Sequence, residues 1–181
     1  MIDDYSFSTS WNCSQHEKGE EIVADITALG FRTIELNFQL NADKLRGILE
    51  SVETGVVAVS SVHNYCPFPA ETPLERVNPD DPSLASNEER VRKRAVEYTK
   101  RSIETAANLG ARVLIIHSGK VAIASRTRKL IRLYQTKGES SKEFQMLRAA
   151  AIDERAHSVK EHFDALSTSY AELIPYAREK G

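Results

Sequence analysis

Apolar residues run together or alternate with polar ones in four short segments of the chain, and recur at helical spacing in five longer ones. The short segments predict strands at residues 5–10, 33–38, 56–62 and 113–116. The longer segments predict helices at residues 19–29, 42–54, 86–109, 126–137 and 141–180. Because strands and helices alternate up to residue 116, we expect parallel strands joined by right-handed crossovers. The pattern predicts an α/β fold, either a small doubly wound sheet or part of a barrel.

A short sequence repeat supports this interpretation. Leu-Gly-x-Arg followed by a strand occurs at residues 29–36 and again at residues 109–116. In each copy the glycine can leave the preceding helix in the left-handed conformation, so that the strand begins at once. Each copy is therefore predicted to be the corner between a helix and the next strand of a β/α unit.

Local signals predict where several other elements begin or end. Residues 64–85 form a long loop that carries five of the six prolines, and loops of this length are often functional. Ser86 and Glu89 have the spacing of a capping box, which predicts the start of the third helix. The strand at 113–116 is too apolar for an exposed sheet edge, and Pro175 is expected to kink or interrupt the last helix.

Composition narrows the class of protein. The 181 residues include 41% hydrophobic ones, which is the balance of a globular domain. A net charge of −2 makes nucleic acid an unlikely partner, because neutralising phosphates needs surplus Lys and Arg. No apolar run is long enough for a membrane span, and residues 1–4 lack the basic start of a secretory signal. We therefore expect a cytoplasmic protein with no membrane contact, in which Cys13 and Cys66 are reduced thiols.

Candidate chemistry lies at the carboxyl ends of the predicted strands, where parallel α/β folds place their active sites. His63 ends the third strand and His117 ends the fourth. Neighbouring strands are about 4.8 Å apart, so both rings can face one site. Glu35 in the second strand and Trp11 after the first complete the candidate set.

Each candidate has a chemical interpretation and a structural alternative. A neutral imidazole at a strand end can ligate a metal, accept a proton or bond to a sugar hydroxyl, or it can simply bond to a backbone carbonyl. Glu35 on a strand face needs a partner, which can be a structural ion pair. Trp11 can stack on a sugar ring or pack in the core. His16, His157 and His162 are expected at the surface. No glycine-rich phosphate loop occurs, so no nucleotide cofactor is expected.

Three segments together resemble the xylose isomerase-like TIM barrel superfamily. They are residues 29–36, 61–65 and 114–119. Residues 154–181 also resemble the long helix that precedes the fifth strand in that group. The superfamily includes sugar and sugar-phosphate isomerases and epimerases, inosose dehydratases and apurinic endonucleases. The resemblance covers essentially the whole chain and implies that residues 1–181 are a single portion of a barrel, with four of its eight β/α units.

The resemblance also implies roles for the candidate residues. His63 and His117 match histidines at the ends of strands three and four, which ligate zinc in the endonuclease branch and more often contact substrate in the isomerase branch. Glu35 matches a glutamate that faces the pocket, and Trp11 joins these residues as a substrate-binding candidate. The implied function is a metal-dependent isomerase or epimerase of a small sugar or sugar phosphate, with Zn, Mn or Mg as the divalent ion. The alternatives are an abasic-site endonuclease-like zinc enzyme and a non-catalytic half-barrel module for binding or dimerisation.

The chain departs from the superfamily in one large respect. The metal ligands of the later strands, a glutamate on strand five and Asp, His and Glu beyond it, have no counterparts in this sequence. A complete barrel needs about 250 residues, and half a barrel leaves two open sheet edges. We therefore expect a truncated chain, or one completed by a separate C-terminal half of the barrel or by a second copy in a homodimer.

Overall fold

The computed structural model describes residues 5–181, apart from the side chain of Leu74. Residues 1–4, on which the expectation about a secretory signal rests, lie outside this range. Within residues 5–181, no helix combines the length and apolarity needed to cross a membrane. The elements are β1 Phe7–Ser8, α1 Gly19–Ala28, β2 Thr33–Leu36, α2 Ala42–Glu53, β3 Ala58–His63, α3 Glu89–Asn108, β4 Val113–Ile115, α4 Thr127–Lys137 and α5 Lys142–Lys180, with short 3-10 turns at Thr9–Trp11 and Leu74–Arg76.

The four strands form one parallel sheet in the order β1-β2-β3-β4. In this register Glu35 pairs with Ser8 on one side and Ser61 on the other. A shift between Ile34 and Glu35 leaves one extra residue, Ser60, on β3, as in a β-bulge. The predicted α/β fold is confirmed, and four parallel strands are the number expected for half of an eight-stranded barrel.

The two faces of the sheet differ in polarity. Strand residues alternate between faces, so Ile34 and Leu36 are fully buried against the helices while Glu35 lies on the other face. A second apolar cluster joins α3, β4 and α5. The main core, between the sheet and the first two helices, contains Ile22, Val23, Ile26, Ile34, Leu36, Leu45, Ile48, Val57, Val59 and Val62.

Both cysteines lie in this interior. Cys13 and Cys66 are buried and free, and burial raises the pKa of the Cys66 thiol to about 12. Because the thiolate is the reactive form, we expect neither cysteine to react with Ellman's reagent at neutral pH in the native protein. Both should react after denaturation in urea. Rapid labelling of either thiol without denaturant would contradict this packing.

The predicted start of α3 is wrong, and of the two outcomes expected at Pro175, a kink or an interruption, the interruption does not occur. α3 begins at Glu89, later than the capping box predicts, because the Ser86 hydroxyl accepts a hydrogen bond from the Glu88 amide instead. α5 runs without interruption through Pro175 to Lys180. Proline removes the hydrogen bond to the carbonyl of Ala171, and both residues are exposed, so water can reach this part of the helix.

The described sheet has an open edge at β4. Val113 is 52% exposed there, although the apolar sequence of this strand predicts an interior position. The strand has a partner on one side only, through pairs such as Ser61 with Val113 and His63 with Ile115. Within residues 5–181 no further strand of the sheet covers its second side.

Candidate functional site

His63 and His117 lie side by side at the carboxyl ends of β3 and β4. Their ring centroids are 4.9 Å apart, and the ring planes are inclined at 59°. Phe38, which follows β2, also contacts the His63 ring, with 5.5 Å between centroids. The spacing of adjacent strands predicts this proximity, because His63 ends β3 and His117 follows β4 by two residues at the same edge of the sheet.

The surroundings of His63 favour the neutral form of its imidazole, and one ring nitrogen has no partner among the described residues. Burial lowers the pKa of His63, positive charge on His117 lowers it further, and the Glu35 carboxylate partly offsets both effects. Its Nδ1 atom is buried and has no hydrogen-bond partner among residues 5–181. The unpaired buried nitrogen lowers stability, and a ligand can reach the ring only through Nε2, because Nδ1 has no accessible surface.

His117 is oriented by a carboxylate that the sequence pattern does not reveal. Its Nδ1 atom lies 3.1 Å from Oδ1 of Asp80, in the long loop after β3. The amide of Asp80 in turn donates to Oδ1 of Asn78 at 2.9 Å, which forms a local turn. A histidine whose Nδ1 bonds to a carboxylate has a fixed ring orientation and keeps Nε2 for a ligand.

Glu35 lies on the same face of the sheet, between two serines. Its Oε1 atom accepts a hydrogen bond from the Ser8 hydroxyl at 2.8 Å, and Oε2 accepts one from the Ser61 hydroxyl at 3.3 Å. The expected partner of this half-buried carboxylate is thus a pair of hydroxyl groups. Hydroxyl partners leave the carboxylate charge uncompensated, so Glu35 contributes negative potential at His63.

Trp11 lies in the 3-10 turn that follows β1 and is 48% exposed. The edge of its ring packs against Phe7, with 5.4 Å between centroids, and Phe7 contacts Phe31. The described contacts join His63 to His117, and Glu35 acts on His63 through its charge. Trp11 takes part in neither interaction. The role of Trp11 in substrate binding stays a prediction.

The other histidines differ from one another. His157 is exposed, as expected, and His16 is half-buried and bonds to Asp25. The expectation for His162 is wrong, because this side chain is only 8% exposed. Phe163, which the helical pattern predicts on the buried face of α5, is instead 63% exposed. The buried face of α5 is therefore shifted by about one residue position from the predicted face, so that His162 points inward and Phe163 outward.

The described residues do not form a complete metal centre. No group of three or more His, Cys, Asp or Glu side chains within residues 5–181 is arranged to hold a metal ion. Catalytic zinc sites use three protein ligands, whereas His63 and His117 supply two imidazoles. Within the described residues these two side chains could supply at most two of the ligands that such a site needs.

The lowered pKa of His63 makes folding stability depend on pH. Because the folded imidazole binds a proton less readily than the unfolded one, the unfolded state holds more protons below the ordinary pKa of 6.5. We expect the free energy of unfolding to fall as the pH drops below this value and to level off below the folded pKa. The substitution His63→Phe should flatten that decline, measured by urea unfolding from about pH 5 to 8. An unchanged slope would contradict the assignment.

Comparisons with known proteins agree with this architecture. No curated protein matches the sequence. Among solved structures, apo 3-keto-D-glucoside 4-epimerase, YcjR, from E. coli is similar, with a TM-score of 0.56 and 14% identity. The match covers 92% of this chain and 49% of the epimerase, so the chain spans about half the length of that relative. A family model described as xylose isomerase-like TIM barrel matches residues 23–181. With most of its length matched and its strands parallel, the chain belongs to the xylose isomerase-like TIM barrel family.

Proposed function

We propose that this chain forms the substrate-binding wall of an isomerase or epimerase that acts on a small sugar or sugar phosphate. The observation that carries the proposal is the pair of histidines at the carboxyl edge of a parallel sheet, with 4.9 Å between their ring centroids. Active sites of this fold lie at that edge. The solved relative named as a 3-keto-D-glucoside 4-epimerase supports the choice of a sugar over other polar ligands.

The side chains have distinct proposed roles. His63 is half-buried and bonds through Nε2 to a hydroxyl or carbonyl group of the sugar, because its Nδ1 atom is shielded from solvent. His117, held by Asp80, presents Nε2 to a second oxygen of the same ligand. Glu35 adds negative potential that favours hydroxyl donors near the rings. Trp11 offers an exposed aromatic face in the turn after β1, the strand next to the one that carries Glu35.

The proposed reaction is proton transfer at a carbon next to a carbonyl group. A bound divalent ion, Zn, Mn or Mg, would polarise the substrate oxygens in such a reaction. His63 and His117 are the described residues that could ligate it, and three or more ligands would need further residues. We place the remaining ligands and the acid and base groups on β/α units beyond these four.

The proposed partner follows from the same geometry. β1 and β4 are the two open edges of the described sheet, and eight parallel strands close a barrel. We propose that the C-terminal half of a barrel, or a second copy of this chain, supplies the other four strands. Sedimentation of the purified chain distinguishes these partners, because a second copy gives a dimer of about twice 20.3 kDa.

Binding provides the direct test of the function. The imidazole nitrogens of His63 and His117 can be followed by NMR while a 3-keto-D-glucoside, a ketose phosphate or glycerol is added. We expect a sugar to shift both sets of signals, with a smaller effect from glycerol at equal concentration. If neither sugar shifts these signals at millimolar concentration, the proposed binding wall is wrong.

Solvent exchange tests the chemical step. An enzyme that removes a proton next to a carbonyl incorporates deuterium from D₂O into the recovered sugar. We expect incorporation when the chain is combined with whatever completes the barrel, and none with the isolated sugar over the same time. Sugar turnover without deuterium incorporation would exclude proton exchange with solvent as the route.

A further inference from the structure

We propose that His162 of α5 is a positioning residue that holds the Asp80–His117 pair in its working geometry. It does so by joining the segment that follows β3 to the segment that follows β4. The importance of the pair rests on the proposed function, whereas the connection itself rests only on the geometry around His162. No feature of the sequence indicates this role, since the residue lies where a surface position is expected.

Both ring nitrogens of His162 are engaged. Nδ1 lies 2.6 Å from the carbonyl oxygen of Ala85, to which it donates a hydrogen bond. Nε2 accepts a hydrogen bond from the amide of Ala122 at 3.1 Å. This arrangement fixes one neutral tautomer, with the proton on Nδ1. A single buried ring therefore bridges two backbone segments that belong to different β/α units.

The two bridged segments are the ones that carry the site. Ala85 lies five residues after Asp80, and Ala122 lies five residues after His117. Between these points, Asp80 and His117 bond to each other across the 3.1 Å contact. The two segments are therefore connected twice, through His162 and through the Asp80–His117 bond. A shift of either segment changes the distance between the Asp80 carboxylate and the His117 imidazole.

Neighbouring contacts make the junction close-packed. Ser169, two turns further along α5, donates to the carbonyl of Leu84 at 2.8 Å, and the Tyr170 hydroxyl bonds to Ser118 at 2.8 Å. A Cβ atom at Gly119 would lie 2.2 Å from Oγ of Ser83. The two segments therefore touch directly, and a displacement at Ala85 or Ala122 passes to the other segment.

Substitutions at His162 can separate its polar role from its bulk. Leucine fills similar space but leaves the Ala85 carbonyl and the Ala122 amide without their partner. Glutamine retains one donor group and one acceptor group on a side chain that reaches the position of Nε2. Asparagine reaches the position of Nδ1 only, so it can keep the bond to Ala85 and lose the one to Ala122.

The experiment follows the imidazole signals of His117 by NMR, with the Asp80→Asn variant as the reference for a broken pair. We expect His162→Leu to move these signals toward the Asp80→Asn positions and to speed hydrogen exchange of the Ala122 amide about tenfold or more. His162→Gln should restore the wild-type signals in part. Ile48→Val, which trims the distant core of α2, provides a control for general loss of stability and should leave the His117 signals unchanged.

Every outcome decides the role of His162. Wild-type His117 signals in folded His162→Leu would overturn it. If His162→Leu does not fold, His162→Asn, which loses the bond to Ala122, takes its place, and wild-type His117 signals in this variant would overturn the role as well. None of these measurements involves sugar binding or turnover. Their result is therefore independent of the test of the proposed function.

Discussion

Adding one methyl group at Gly19, in Gly19→Ala, is expected to cost about 3 kcal/mol or more of folding stability, at or above the upper end for overpacked sites. Gly19 is buried at the start of α1, where this helix crosses α2. A Cβ atom there would lie 1.9 Å from the carbonyl oxygen of Lys44 and 2.6 Å from the amide nitrogen of Ile48. These are backbone atoms of a helix, so they cannot rotate away, and the two helices must separate.

Separation of these helices would also break a buried polar contact. The ammonium group of Lys44 is buried and donates to the carbonyl of Cys13 at 2.9 Å. Moving α2 away would weaken this bond and open the main core around Ile22 and Ile48. The loss of stability therefore combines steric strain with reduced burial, and urea unfolding followed by circular dichroism measures their sum.

Two other glycines serve as controls. Gly55 has a φ of +72° and no heavy atom within 4 Å of an added Cβ, so Gly55→Ala introduces backbone strain alone, of about 1–2 kcal/mol. An added Cβ at Gly47 would lie 2.4 Å from the flexible Glu20 side chain, which can move aside, but also 3.0 and 3.1 Å from the backbone nitrogens of Gly19 and Glu20, so Gly47→Ala should have an intermediate effect. We expect Gly19→Ala to lower the free energy of unfolding more than the other two substitutions do. An equal decrease in Gly55→Ala would show that the helix crossing tolerates the methyl group.

The sequence predicts the histidine pair because the relevant signals are periodic. Alternation fixes which face of a strand carries Glu35, and the carboxyl ends of two adjacent strands place His63 beside His117. Asp80 has no such signal. Its position depends on how a proline-rich loop folds back and on the turn that Asn78 forms, and neither property has a repeating pattern in the sequence.

His162 shows a different limit of sequence patterns. Hydrophobic spacing assigns Phe163 to the buried face of α5, whereas the structure turns His162, Ser169 and Leu173 inward. The reason is that α5 packs on backbone groups as well as on apolar side chains. The carbonyl groups of Leu84 and Ala85 lose water there and need donors. Polar residues satisfy this need, and a scale of hydrophobicity scores them as surface positions.

The other large effect is expected on ligand binding. Replacing His63 by leucine or His117 by phenylalanine should weaken binding of the sugar that shifts their signals by about 10- to 100-fold each, because each loss leaves a ligand oxygen without its bond. Asp80→Asn should have a smaller effect, since it breaks the pair with His117 but leaves both imidazole rings in the site. Isothermal titration calorimetry with the same sugar gives the dissociation constants.

The chain carries its own matched control for this experiment. His157 lies on an exposed face of α5 and bonds to the carbonyl of Asp153, away from the strand ends. His157→Ala should leave sugar affinity unchanged. The two site histidines share one ligand, so the double variant should lose less than the sum of the single losses. If His63→Leu and His117→Phe bind the sugar as tightly as wild type, the ligand occupies another part of the molecule and the carboxyl edge of the sheet is not the binding wall.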